Sequence, residues 1–108
     1  MKWQVKFTQA AEKDLFQLDG SQRILVQKAI RKVSKNPLPD YQGGYGKPLS
    51  NKANSKLAGY LKIKLKAAGI RIVYKLLEIN GVMVIVVIGA RADNEAYDIA
   101  QKRIARGE

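Results

Sequence analysis

Residues 60 to 66, Tyr-Leu-Lys-Ile-Lys-Leu-Lys, alternate a basic or polar side chain with an apolar one. A period of two is the pleat of a β-strand, so Leu61, Ile63 and Leu65 turn to one face. Tyr60, Lys62, Lys64 and Lys66 turn to the other, with the ammonium groups about 7 Å apart. Ile70 to Glu78 alternates again, setting Arg71, Val73 and Lys75 against Ile70, Ile72, Tyr74 and Leu76. Ala67-Ala68-Gly69 reads as the turn between them, and an antiparallel hairpin brings Arg71 beside the lysine row. Such a group is equipped for phosphate chemistry. RNA can be cut without a metal if the 2′-hydroxyl is helped to attack its own phosphate, the transition-state charge is steadied and the leaving 5′-oxygen is protonated. Lysine or tyrosine among cations releases its proton more readily, and arginine stays charged and grips phosphate oxygens in pairs. DNA lacks the 2′-hydroxyl and falls outside this chemistry.

The rest of the composition narrows the choice. Histidine and cysteine are both absent, which removes imidazole bases, thiolate nucleophiles, disulfides and the commonest metal ligands. Nine scattered carboxylates offer no ligand cluster, so a metal nuclease is the least favoured class and no cofactor or metal is expected. Twenty Lys and Arg give a net charge of +11, which points to a polyanionic partner, with nucleic acid first. Between Asp40 and Glu78 there is no carboxylate, while Lys47, Lys52, Lys56, Lys62, Lys64, Lys66, Arg71 and Lys75 all fall there. A solvated face is the ordinary reading of a charge run, but such faces usually mix signs to limit self-repulsion. Lys47, Lys52, Lys56, Lys66 and Lys75 are therefore candidate contacts for RNA. The most apolar run, Val82 to Ile88, is seven residues, against about 20 for a membrane helix. A soluble, cytoplasmic protein with no membrane partner is expected, its 108 residues forming one domain, 1–108.

The elements that must position these groups follow from period and punctuation. Lys2 to Phe7 alternates and reads as a first strand. Thr8 caps a helix carrying Ala10, Ala11, Leu15 and Leu18, broken at Asp19-Gly20, and Ser21 caps a second that stops at Asn36-Pro37. Residues 36 to 58 hold all three prolines and read as an irregular connection, long enough to suggest a task. Gly59 to Lys66 and Ile70 to Glu78 are strands. Asn80-Gly81 signals a type I′ hairpin into Val82 to Ile88, a strand apolar on both faces, and Asp93 or Asn94 caps a last helix through Arg106. The order β-α-α-β-β-β-α makes the class α+β: a twisted antiparallel sheet with the two early helices on one face, plus a C-terminal helix.

The segment Tyr60-Leu61-Lys62-Ile63-Lys64-Leu65, then Gly69-Ile70-Arg71-Ile72-Val73-Tyr74, then Ile88-Gly89-Ala90-Arg91 with Glu95-Ala96-Tyr97, resembles the core of the RelE toxins within the RelE/ParE superfamily. The specific match covers about residues 59 to 97, and the order of elements resembles that family over nearly the whole chain. The resemblance implies the RelE-like microbial ribonuclease fold and the toxin of a type II toxin–antitoxin system. It implies an mRNA interferase: a ribosome-dependent endoribonuclease that cuts messenger RNA in the 30S A site by 2′-hydroxyl attack and so inhibits translation. Carried over residue by residue, the catalytic set is Lys62, Lys64, Arg71, Arg91 and Tyr97. The tyrosine and lysines are linked to activating the 2′-hydroxyl, Arg71 to transition-state charge and Arg91 to the leaving group. Ala90 and Asp93 depart from the pattern, standing where further basic residues occur in the family. Implied partners are messenger RNA, the ribosome and a RelB-like antitoxin that wraps the basic surface, with promoter DNA reached only through the antitoxin complex.

Each residue alone has a plainer meaning. Lys62 and Lys64 suit an edge strand guarded against aggregation, Arg71 an ion pair, Arg91 a loop, and Tyr97 helix packing with a wet hydroxyl. Tyr41 and Tyr45 lie in a Gly-rich loop that could stack bases. Two other functions fit the same chain: a ParE-like toxin that inhibits gyrase without cutting RNA, and a basic module that binds nucleic acid without catalysis.

Overall fold

The computed structural model describes residues 3–49 and 57–107. Its elements are β1 (Gln4–Phe7), α1 (Gln9–Gln17), α2 (Gly20–Val33), β2 (Lys47–Pro48), β3 (Tyr60–Leu65), β4 (Ile70–Leu77), β5 (Val82–Ala90) and α3 (Asp93–Ala105). The strands form one sheet in the order β1-β5-β4-β3-β2. The hairpins β3–β4 and β4–β5 are antiparallel, as the turn signals require, whereas β1 lies parallel to β5. That parallel pairing departs from the expected all-antiparallel sheet. It follows from the two helices after β1, which carry the chain back across the sheet before it re-enters.

Alternation sorts the side chains as expected. Leu61 and Ile63 of β3, with Ile70, Ile72 and Tyr74 of β4, pack under Leu15 of α1 and Val26, Ile30 and Val33 of α2. On the opposite face Val73, Val86, Val87 and Ala90 pack under Ala96 and Ala100 of α3. Strand β5 is therefore covered on both sides, which is why its sequence is apolar throughout. Val73 pairs with Val87 and Tyr74 with Ile85, so Val86 is an extra residue, and Gly89 is likewise skipped between Ile88 and Ala90. These two bulges bend the end of β5 toward the start of α3. Gly89 takes φ +105°, a backbone conformation that side chains other than hydrogen resist.

Several local expectations are corrected. Asp19, not Ser21, caps α2: its side chain accepts from the Gln22 N–H at 2.8 Å, and Ser21 Oγ donates to the same carboxylate. Asn80-Gly81 does not form a type I′ turn, because no residue other than glycine has positive φ among the described residues. The loop instead spans Glu78 to Gly81, a four-residue hairpin turn closed by the Gly81 N–H donating to Glu78 O at 3.2 Å, with Gly81 at φ +63°. The connection after α2 is more ordered than its prolines suggest. It holds a 3-10 turn at Asp40–Gln42 and β2, and is tied to the sheet by the buried Tyr74 hydroxyl donating to Pro37 O at 2.7 Å. A side chain at Gly46 would collide with that hydroxyl.

Candidate active site

Because β2 is two residues long and its last register partner is Lys62, β3 from Ile63 onward forms an edge of the sheet. Its basic face is only partly overlaid by α3. Within the β3–β4 register Lys64 stands opposite Arg71, and Arg71 stands opposite Ala90 on its other side. The hairpin geometry read from the sequence thus holds, and Lys62, Lys64 and Arg71 converge.

They converge on Asp93. Arg71 Nε donates to Asp93 Oδ1 at 3.0 Å, while Lys62 Nζ and Lys64 Nζ lie 3.1 and 3.4 Å from Oδ2. The hydrogen bond from Arg71, then that from Lys62, together with the charge of both lysines, hold the Asp93 carboxyl down at about 2 against the opposing effect of burial. Three cations around one anion leave a local charge of +2, so the cluster is neutralised only in part. Lys62, Lys64 and Arg71 are 13%, 30% and 22% exposed, and Asp93 is 45% exposed. The anion is the outermost member and the cations form the floor beneath it.

Asp93 is the first residue of α3, yet it does not cap the helix as expected. The cap position falls to Ala92, which makes no side-chain cap hydrogen bond. An N-cap carboxylate normally accepts a helix N–H; Asp93 sits one position past the cap, and its carboxylate goes to the cations.

Arg91 immediately follows Ala90, the cross-strand partner of Arg71. Its Nη1 donates to Ala68 O at 2.9 Å and its backbone N–H to Glu95 at 3.2 Å, which hold it at the β3–β4 turn beside the cluster. Tyr97 lies one helical turn beyond Asp93 on the same face of α3, half-buried against the second core cluster. Of the five catalytic candidates, three meet through Asp93, Arg91 is held at the adjoining β3–β4 turn, and Tyr97 lies on α3 one turn beyond Asp93.

The candidate RNA contacts divide. Lys47 and Lys66 are exposed, and with Lys62 and Lys64 they line a groove of about 460 Å³ between the β3 edge and α2, shared with Lys28, Lys32 and Tyr45. Lys75 instead sits 5.9 Å from the centre of the Tyr60 ring, away from that groove's lining. Lys52 and Lys56 lie outside the described residues. Among the described residues no group of three or more acidic side chains comes together, and no helix is long and apolar enough to cross a membrane.

Two features were not foreseen. Asp93 stood out only as a helix cap and a departure from the family pattern, since nothing in its neighbourhood along the chain shows that folding places it on residues 62, 64 and 71. The second is an ion pair between Asp14 of α1 and Arg103 of α3, at 2.7 and 3.0 Å. Asp14 also accepts from the Ile88 N–H at 3.0 Å, and Arg103 donates to Val86 O at 2.8 Å. Strand β1 pairs β5 only as far as Ile85, so these two side chains serve the backbone of β5 where no strand covers it.

Comparison with known proteins fixes the family. A RelE-like toxin protein of Escherichia coli is 30% identical over 108 residues, spanning 96% of this chain and 99% of that one. This chain belongs to the RelE-like toxins. Among solved structures, a double mutant of Escherichia coli RelE in the free state superposes with a TM-score of 0.73 at 24% identity, covering 96% of this chain and 99% of that one. The toxin of the Mycobacterium tuberculosis RelBE2 toxin–antitoxin complex gives 0.65 at 26% identity over 82% of this chain and 98% of that one. The intact Escherichia coli RelBE toxin–antitoxin complex gives 0.63 at 23%, covering 81% and 94%. No family model matches the chain. The RelE fold expected from the sequence is thus the fold observed.

Proposed function

We propose that this RelE-like toxin is a metal-independent endoribonuclease that cuts messenger RNA in the ribosomal A site. The observation that carries the reading is the convergence of Lys62, Lys64 and Arg71 on one anion, with Arg91 and Tyr97 beside them. In the reaction the 2′-oxygen bonds to phosphorus and the bond from phosphorus to the 5′-oxygen breaks. The products are a 2′,3′-cyclic phosphate and a 5′-hydroxyl. Arg71, fixed in charge, faces the phosphoryl oxygens as negative charge grows on them. One group of the set Lys62, Lys64 and Tyr97, in its deprotonated form, takes the proton of the 2′-hydroxyl while the others stay as donors, and Arg91 faces the 5′-oxygen, which takes up a proton as its bond to phosphorus breaks. No step calls for a redox group or a nucleophile on the protein. Lys47 and Lys66, with the groove along the β3 edge, supply the sequence-independent hold on the RNA backbone.

The partners follow from the same charge. The ribosome presents RNA to the basic face, and a RelB-like antitoxin with an acidic or amphipathic segment neutralises that face when the toxin is silent. The test is cleavage of a programmed messenger on ribosomes in the presence of a chelator, with both product ends mapped. Chelator-resistant cuts in the A-site codon that leave a cyclic phosphate are expected. Folded protein that binds ribosomes without cutting would move the chain to the gyrase-inhibiting or simple binding class.

A further inference from the structure

We propose that Asp93 is an internal stand-in for the RNA phosphate: its carboxylate occupies the seat formed by Lys62, Lys64 and Arg71 in the free protein, and substrate phosphate must displace it. The proposal rests on the ribonuclease reading for the identity of the displacing anion, and on the geometry of the cluster for the rest.

Both Asp93 oxygens are engaged, Oδ1 by Arg71 at 3.0 Å and Oδ2 by Lys62 and Lys64 at 3.1 and 3.4 Å. A phosphoryl group gripped by these cations would place its oxygens where the carboxylate oxygens now lie, so the two anions exclude each other. The seat is asymmetric in a way that permits exchange. Asp93 is the most exposed of the four groups, and the three cations lie beneath it. Moving this one exposed carboxylate aside uncovers all three cations. The departing carboxylate stays beside the first turn of α3, where the unpaired N–H groups favour negative charge, and it enters water rather than the core.

Two other roles for Asp93 are weaker. As a general base it would have to take a proton from a hydroxyl, yet its carboxyl titrates at about 2, which makes the carboxylate a poor acceptor at neutral pH. As a structural counter-ion it would be needed to hold the cations together, and its loss would then weaken the grip on any anion. A competitor and a counter-ion therefore predict opposite signs for the same substitution. If the seat is closed most of the time, the apparent affinity for phosphate is reduced by the open fraction, and removing the carboxylate restores it.

The experiment measures binding of a short 2′-O-methyl RNA, which cannot be cleaved, by fluorescence anisotropy at fixed salt. It compares wild type, Asp93→Asn and Asp98→Asn. Asp98 is exposed on the same helix, so its substitution removes the same charge without touching the seat. Asp93→Asn is expected to bind about tenfold more tightly than wild type, and Asp98→Asn less than about twofold more tightly. In parallel, saturating wild type with the RNA should raise the Asp93 carboxyl titration, followed by carbon NMR, from about 2 toward the ordinary aspartate range. Equal tightening in both variants, or weaker binding by Asp93→Asn, would overturn the proposal. Tenfold tightening at Asp93 alone, with no cleavage on ribosomes by any of the three proteins, would uphold the displacement and refute the ribonuclease reading.

Discussion

Asp14 and Asp93 each meet an arginine side chain, and the two arrangements differ in nearly everything else. Asp14 and Arg103 meet through two hydrogen bonds, both about 15% exposed, and each also bonds the backbone of β5. Asp93 is shared among three cations, nearly half exposed, and makes no bond to the helix it begins. The first arrangement is charge-balanced, saturated and bridges helices on opposite faces of the sheet, which suits a clamp. The second leaves positive charge in excess around a movable anion, which suits a site. Balance and saturation, more than the presence of an ion pair, separate structure from function here.

Substitutions should split the two regions cleanly. The largest effect is expected from replacing both Lys62 and Lys64 by Ala: cleavage on programmed ribosomes should fall by about 10³-fold. Urea unfolding should show little loss in that variant, because like charges have been removed. Asp14→Ala should do the reverse, lowering stability by about 3 kcal/mol in urea unfolding, since Arg103 and the Ile88 N–H lose their partner. Its folded fraction should still cut RNA. Arg103→Lys keeps the charge but loses the two-pronged fit and should cost about 1.5 kcal/mol by the same measurement. The smallest effect is an acid one. The Asp93 carboxyl lies below its ordinary value, so its contribution to stability is complete above about pH 4 and is lost as pH falls toward 2. Exposure limits that contribution to about 1 kcal/mol or less. The stability difference between wild type and Asp93→Asn should shrink over that interval, and a constant difference would show that Asp93 does not titrate within the seat.

The sheet and the basic row were legible because period two is a property of neighbours in sequence. Lys62, Lys64 and Arg71 fell on one face by counting alone, and the turn at Ala67-Ala68-Gly69 supplied the pairing. Thr8 was legible as a cap for the same local reason, its side chain accepting from the Ala11 N–H. What escaped was set by tertiary placement. The parallel pairing of β1 depends on how α1 and α2 return the chain, and the β5 bulges depend on both faces being covered. Asn80-Gly81 misled because a two-residue turn competes with a four-residue one, and the choice is made by where the strand pairing ends. Asp93 reads as a cap until the fold sets it over Lys62, Lys64 and Arg71, which precede it by 22 positions or more. The RelE resemblance pointed to five candidate positions; it did not reveal that an acidic residue meets three of them.

The measurement that bears most directly on the central claim is the single-turnover cleavage rate of Arg71→Ala on programmed ribosomes, with chelator present and folding checked by thermal melting. The account predicts a loss of about 10²-fold or more with ribosome binding retained. An Arg71→Ala protein that is folded and cuts at the wild-type rate would contradict it, leaving the three-cation seat as a feature of the surface alone.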